Sequence, residues 1–122
     1  MTNVLVIDDD EIFRGYMGAL LEEFGYTVHR AQNGLEGLML FKSMNMDLVV
    51  TDIIMPGREG LETIINMKGL KPETPIVAVS GFEGMAGRDF LHYAEKFGAR
   101  ATFRKPFDTR QFISTIQELV HA

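Results

Sequence analysis

The sequence has no cysteine, only four prolines and no long run of apolar residues. The absence of cysteine excludes disulfide frameworks, thiolate metal sites and cysteine nucleophiles. The first apolar stretch ends in acidic residues after four positions, which is too short for a signal peptide or a transmembrane span. Basic residues are also scarce, since twelve Lys and Arg face seventeen Asp and Glu and leave a formal charge of −5. These features favour a soluble, cytoplasmic protein and argue against nucleic acid or a membrane as its partner.

The residues that are present suffice for one globular domain. Of the 122 residues, 46% are hydrophobic and 24% are charged, which is the composition of a chain that buries an ordinary core. We therefore predict a single domain over residues 1–122, with no room for a separate output module.

Short apolar runs without polar alternation recur along the chain. They span Val4 to Ile7, Leu48 to Val50 and Ile76 to Val79, with weaker candidates at Tyr26 to Val28 and Ala101 to Arg104. Runs of this kind are typical of strands that are covered on both faces, as in parallel sheets.

Five segments with helical spacing alternate with these runs. Asn33 and Asp108 are predicted to begin the second and the last of them, and Gly25 and Gly98 to end the first and the fourth. The alternation predicts an α/β domain with a doubly wound, five-stranded parallel sheet flanked by five helices. The apolar positions of the five segments are, in order, Ile12, Phe13, Tyr16, Met17, Leu20, Leu21 and Phe24; Leu35, Leu38, Phe41 and Met44; Leu61, Ile64 and Ile65; Phe90, Leu91, Ala94 and Phe97; and Phe112, Ile113, Ile116, Leu119 and Val120.

Chemically matched residues follow the predicted strands. Asp8 and Asp9 follow the first run, Asp52 the third, Ser80 the fourth and Lys105 the fifth. Because the carboxyl ends of parallel strands share one edge of the sheet, we expect these groups to lie together. Neighbouring carboxylates need a cation, and Mg²⁺ prefers oxygen ligands, so we predict a Mg²⁺ site.

A Mg²⁺ site beside a lysine and a hydroxyl is suited to phosphoryl chemistry. Asp52 is the better candidate for the nucleophile, because it stands alone at the end of a central strand, whereas Asp8 and Asp9 are adjacent and suited to holding metal together. A phosphorylated aspartate is an established covalent intermediate.

These motifs, in this order, resemble the receiver domains of two-component response regulators, and the resemblance covers the whole chain. The matching segments are Val4–Asp9, Asp47–Pro56 with Gly60, Val77–Gly81 and Phe103–Phe107. The resemblance implies the flavodoxin-like strand order 2-1-3-4-5, which is the order in chemotaxis receivers.

The resemblance also implies roles for individual residues. Asp52 would accept a phosphoryl group from a histidine kinase or phosphotransfer protein, and Ser80 and Lys105 would contact its oxygens. Mg²⁺ would be bound by Asp9, Asp52 and the backbone carbonyl of Ile54, with Asp8 acting mainly through water. The Lys105–Pro106 peptide bond would be cis.

Output through a downstream protein target is expected, because a new charge of about −1.5 to −2 must find donors and thereby changes the surrounding surface. The expected protein is a phospho-accepting switch or phosphorelay carrier and not a turnover enzyme. We expect a monomer, with dimerisation on phosphorylation left open.

Three features depart from the pattern of the family. Thr102 stands where many receivers have an aromatic residue, and the neighbouring Phe103 is predicted to face the core. Residues 81–87 contain three glycines, which predicts a loop ahead of the fourth helix. Ile54 and Phe82, at positions that tune dephosphorylation in the family, are both apolar, which favours a long-lived phosphoryl group.

Other functions compete with this interpretation. A phosphorylation-independent, receiver-like interaction module would keep the fold without the chemistry. An aspartyl-phosphate phosphatase of the haloacid-dehalogenase type would use Asp8 as its nucleophile, although the second acidic pair of that family is missing. A flavodoxin-like nucleotide binder would need a glycine-rich phosphate loop after the first strand, where this chain has four consecutive acids that repel phosphate.

Overall fold

A computed structural model describes residues 1–53, 59–81 and 85–121, without the side chains of residues 59 and 85–89. Strands and helices alternate from one end to the other. The strands are β1 Asn3–Ile7, β2 Thr27–Ala31, β3 Leu48–Asp52, β4 Ile76–Ser80 and β5 Ala101–Arg104, and the helices are α1 Glu11–Glu23, α2 Gly34–Ser43, α3 Glu59–Leu70, α4 Met85–Lys96 and α5 Thr109–Val120.

The five strands form one parallel sheet in the order β2-β1-β3-β4-β5, which confirms the predicted fold class and strand order. Leu5 pairs with His29 of β2 on one side and with Val49 of β3 on the other. Because every strand runs in the same direction, the carboxyl ends of β1, β3 and β4 lie along one edge.

The sheet separates two hydrophobic layers, and the alternation of side chains along β1 assigns residues to each. Val4 and Val6 pack with α1 and α5 through residues such as Met17 and Phe112. The opposite layer contains apolar residues of β1, α2, α3 and α4, namely Leu5, Ile7, Phe41, Ile64, Met67 and Ala94 among others. The strands are thus covered on both faces, as the apolar runs predict.

The helix ends follow the predicted signals. Asn33 begins α2 by accepting the backbone N–H of Glu36, and Asp108 begins α5 by accepting from the N–H groups of residues 110 and 111. Gly25 and Gly98 have φ values of 89° and 119°, a conformation that favours glycine after a helix.

Several details of the sequence prediction were wrong. The weak second run was expected at Tyr26 to Val28, but β2 extends to Ala31, because this edge strand is only partly buried and carries polar residues. Ile12 was expected on the apolar face of the first helix, yet it is 84% exposed. Met85 was expected in a loop, but α4 begins there; residues 82–84 of the predicted loop, with Phe82, lie outside the described residues.

Candidate functional site

The sheet brings the predicted residues to one edge. Asp8 follows β1, Asp52 and Ser80 end β3 and β4, and Lys105 follows β5. The backbone N–H of Lys105 donates to the carbonyl oxygen of Ser80 at 2.8 Å, which extends the pairing of β4 and β5 by one residue into the site. Asp8, Asp52 and Ser80 are buried.

Lys105 connects two of the carboxylates. Its Nζ donates to Oδ2 of Asp8 at 2.9 Å and to Oδ2 of Asp52 at 3.2 Å. The side chain of Lys105 is 16% exposed, against 0% and 6% for its two partners, so water screens these interactions far less than those of a surface pair. A charge-assisted network therefore fixes the relative positions of β1, β3 and β5 at this edge.

The same contacts hold Lys105 in its charged form. Burial acts to lower the pKa of Lys105, but the hydrogen bond to Asp8 and the charges of Asp52 and Asp8 outweigh burial. The pKa of the Lys105 ammonium therefore lies above its ordinary value of 10.5.

Asp9 completes an acidic cluster with the other two aspartates. One carboxylate oxygen from each of Asp8, Asp9 and Asp52 lies within 4.8 Å of the others, and Asp9 is exposed whereas its two neighbours are buried. Three carboxylates and the single ammonium of Lys105 leave a formal charge of −2, which matches a divalent cation. Oxygen donors around an opening to solvent fit Mg²⁺, which usually retains several waters. Ile54, the remaining predicted ligand, lies outside the described residues.

The first turn of α1 supports the cluster in a way that sequence reasoning missed. Asp10 caps α1 by accepting from the N–H groups of Ile12 and Phe13, and its own N–H donates to Asp8 Oδ1 at 2.9 Å. Arg14 donates from Nη1 to the backbone oxygen of Asp8 at 2.9 Å. The run of four acids is therefore divided between the cluster and the start of a helix.

Phe13 is a second residue whose contribution the sequence did not reveal. Lys105 Nζ lies 4.0 Å from the centroid of the Phe13 ring, within the range of a cation–π interaction. Phe13 also meets Phe107 edge to face at 5.8 Å. The helical spacing identified Phe13 only as an apolar position, because a contact with a lysine 92 positions later has no local signal.

The region of β5 agrees with the departures noted in the sequence. Phe103 is buried and packs against Phe107 and Phe112, which confirms its predicted place in the core. Thr102 donates its hydroxyl to a carboxylate oxygen of Glu95 in α4 at 3.4 Å. The Lys105–Pro106 bond is cis, as the resemblance implies.

Comparison with known families agrees with the fold. A family model described as the response regulator receiver domain matches residues 4–117. The chain belongs to this family. The match covers Asp8, Asp9, Asp52, Ser80 and Lys105.

Individual relatives of this receiver domain differ in their overall length. It is 29% identical to the chemotaxis protein CheY of Halobacterium salinarum, over 98% of this chain and 97% of that protein. It is 32% identical to the sensor kinase CckA of Brucella abortus, over 98% of this chain but 12% of the kinase. The chain therefore spans only about an eighth of the length of that kinase.

A solved structure of a response regulator from Burkholderia pseudomallei, with a phosphorylated aspartic acid, a calcium ion and citrate, superposes on this receiver domain with a TM-score of 0.84. The two are 29% identical over 99% of this chain and 69% of the other. Among the residues described for this chain, no helix is both long enough and apolar enough to cross a membrane.

Proposed function

We propose that this receiver domain transmits a signal by accepting a phosphoryl group on Asp52. The single observation that carries the proposal is the convergence of Asp52, two further aspartates and Lys105 at the end of the central strand. The phosphorus–nitrogen bond of a phosphohistidine on a kinase or phosphotransfer protein breaks, and a bond from phosphorus to an Asp52 oxygen forms. The imidazole leaves with the bonding electron pair.

Each neighbouring residue has a part in this transfer. Asp8, Asp9 and Asp52, together with the carbonyl of Ile54, would hold Mg²⁺, which supplies charge neutralisation for the phosphoryl oxygens. Lys105 already lies 3.2 Å from Asp52 and offers a second positive charge to the same oxygens. Ser80 ends the adjacent strand and would donate its hydroxyl to another oxygen.

Asp52 is a better acceptor than Asp8, the nucleophile of the phosphatase alternative. Both oxygens of Asp8 accept hydrogen bonds, one from Lys105 and one from the backbone of Asp10, and its side chain is fully buried. The side chain of Asp52 keeps a small exposed fraction of 6% at the end of a central strand. An attacking carboxylate must lie where an incoming phosphorus can reach it, and this difference in exposure supports Asp52 as the acceptor.

The proposal makes the domain a switch and not a turnover enzyme. The added charge of about −1.5 to −2 recruits donors from the surrounding loops and changes the surface that a downstream protein contacts. A cytoplasmic role as the regulator of a protein target or as a phosphorelay carrier is in keeping with the similarity to the chemotaxis protein CheY of Halobacterium salinarum. The solved relative with a phosphorylated aspartic acid and calcium supports the same chemistry.

Incubation with acetyl phosphate tests the proposal by intact mass, since the chain has no tryptophan to report fluorescence. Wild type should gain one phosphoryl mass only when Mg²⁺ is present, and Asp52→Asn should gain none. Asp47→Asn is the matched control, because Asp47 precedes the same strand at its opposite end and is exposed. A gain retained in Asp52→Asn would transfer the acceptor role elsewhere, with Asp8 tested next.

An interaction module that works without phosphorylation predicts a different result. In that case neither acetyl phosphate nor a phosphorylated histidine kinase would add a phosphoryl group to wild type, whereas binding to a target would persist in Asp52→Asn. Uptake from the kinase alone would still support the proposal, because small donors lack the contacts that orient the phosphohistidine.

A further inference from the structure

The exposed surface of α2 and α3 carries a concentration of large apolar side chains. Four of the ten large hydrophobic side chains that are exposed in the described part of the chain lie here, with Leu35 at 69% and Met39 at 64%. Such a concentration marks an interaction surface more often than scattered single residues do. We call the exposed residues of these two helices the α2–α3 face; they are Leu35, Met39, Lys42, Ser43, Glu62, Ile65, Asn66, Gly69 and Leu70.

A groove runs along this face between the two helices. One cavity of about 490 Å³ is lined by Leu38, Lys42, Ile65, Asn66, Gly69 and Leu70. A second, of about 250 Å³, is lined by Gly34, Leu35, Leu38, Glu62, Thr63 and Asn66. Leu38 and Asn66 line both cavities, so the two form one continuous depression. Apolar side chains of a partner can enter it.

The α2–α3 face carries one charge of each sign, at opposite ends of the groove. Glu62 lines the end nearest the start of α2, and Lys42 lines the end nearest Leu70. Along α3 the two ends, at Glu62 and Leu70, are separated by about eight residues, or about 12 Å at 1.5 Å per residue. Within the described residues, neither Lys42 nor Glu62 takes part in an ion pair.

This pattern is self-complementary. In a two-fold symmetric pair, each copy presents the same patch and every contact occurs twice. Both side chains line the groove between the helices, so an antiparallel pairing of two such faces brings Lys42 of each copy to the end of the groove that holds Glu62 of the other, with the apolar residues at the centre. We propose that the α2–α3 face is a self-association surface whose occupant is a second copy of this chain.

The face is small for a protein–protein interface. Nine exposed residues form it, against roughly 20–30 on each side of a standard interface. A weak dimer is therefore expected, with a dissociation constant on the order of 0.1 to 1 mM. None of the residues of the face belongs to the acidic cluster of Asp8, Asp9 and Asp52, so the association requires neither Mg²⁺ nor phosphorylation.

Sedimentation equilibrium of the full chain over a range of concentrations tests the proposal, in EDTA and without phosphoryl donor. Wild type should show a rising average mass. Lys42→Glu and Glu62→Lys each place like charges opposite one another twice, so each should weaken the dimer by about tenfold or more. The double variant with both substitutions restores opposite charges and should dimerise as wild type does.

Lys96→Glu is the matched control, because it makes the same charge change at an exposed position on α4 and should leave the dimer intact. Thermal unfolding followed by circular dichroism checks that every variant is folded. Wild type that remains monomeric up to about 1 mM would overturn the proposal and leave the face to a different protein. Equal weakening by Lys96→Glu, or no rescue in the double variant, would also overturn it.

Discussion

Lys105 and Asp8, which are 97 residues apart in sequence, form a 2.9 Å ion pair in which the carboxylate is fully buried. Replacing the lysine by Lys105→Met should therefore lower the free energy of unfolding more than breaking an exposed ion pair does. We expect a loss of about 3 kcal/mol in the free energy of unfolding, because the buried carboxylate keeps its desolvation penalty without its partner. Urea unfolding in EDTA measures this value.

Arg30→Met provides the comparison for that experiment. Arg30 pairs with Glu22 at the same kind of distance, 2.8 Å, but the two side chains are 35% and 51% exposed. Breaking a solvent-exposed ion pair should lower the free energy of unfolding by no more than about 1 kcal/mol. Equal losses in Lys105→Met and Arg30→Met would mean that the buried network adds no more to stability than an exposed pair does.

The ring of Phe13 should matter to the chemistry through Lys105. Phe13→Leu keeps an apolar side chain but removes the π face 4.0 Å from the ammonium, so the lysine is held less firmly. Stability should fall by about 0.5–1 kcal/mol, and phosphoryl uptake from acetyl phosphate should slow several-fold, as followed by intact mass.

Phe107→Leu separates this effect from a general loss of aromatic packing. Phe107 contacts Phe13, Phe103 and Phe112, whereas the cation–π contact of Lys105 is with Phe13. The rate of uptake should remain near that of wild type in Phe107→Leu. If both variants slow uptake equally, the packing of the rings and not the position of the ammonium controls the rate.

The sequence predicted the sheet because its strands are apolar runs covered on both sides, and the carboxyl-edge rule then grouped Asp8, Asp52 and Lys105. It was less informative where local pattern and tertiary contact diverge. Ile12 has the spacing of a core residue, but α1 turns that side chain to solvent. The contact between Phe13 and Lys105 depends on how α1 lies over the sheet edge, which no local signal encodes.

Gly60 should be intolerant of a side chain. A Cβ at this position would clash with the backbone of Ile53, immediately after Asp52, so α3 would have to move away from the end of β3. Gly60→Ala should destabilise the fold by about 2 kcal/mol through overpacking and should slow phosphoryl uptake. Chemical denaturation and the mass assay measure the two effects.

Gly15 offers the opposite case in α1. A Cβ there meets no atom within 4 Å, so Gly15→Ala should stabilise the chain by about 0.5–1 kcal/mol, because alanine loses less backbone entropy in a helix. Destabilisation by both substitutions would show that helix glycines in this chain matter for a reason other than close approach.

Alkaline pH should expose the contribution of Tyr26. Burial raises the pKa of Tyr26 above its ordinary value of 10.0. The unfolded chain therefore loses this proton at lower pH than the folded chain, and stability falls as pH rises from about 10 through the folded pKa. Tyr26→Phe should lose less stability over this window, as measured by urea unfolding at a series of pH values.

The comparison of wild type with Tyr26→Phe cancels the effects of the other titrating groups on stability. Lys68 and Lys105 also have shifted pKa values, but both are present in wild type and in Tyr26→Phe, so their effects cancel in the difference. Parallel pH profiles for the two proteins would contradict the assignment to Tyr26.

Asp9 should govern the affinity for Mg²⁺ more than its acidic neighbours on α1. It is the exposed member of the cluster with Asp8 and Asp52, so it can bind an entering cation without breaking the contacts of Lys105. Asp9→Asn should weaken Mg²⁺ binding by at least about tenfold. Losses of about that size are already typical when a residue that only supports a metal ligand is replaced, and Asp9 is proposed to be a ligand itself. Calorimetric titration measures the affinity.

Glu11→Gln is the control for this measurement. It removes the same charge two residues later, at an exposed position in the first turn of α1, and should change the affinity for Mg²⁺ little. If Glu11→Gln weakens binding as much as Asp9→Asn does, the cation responds to the summed negative field of this edge and not to a defined set of ligands.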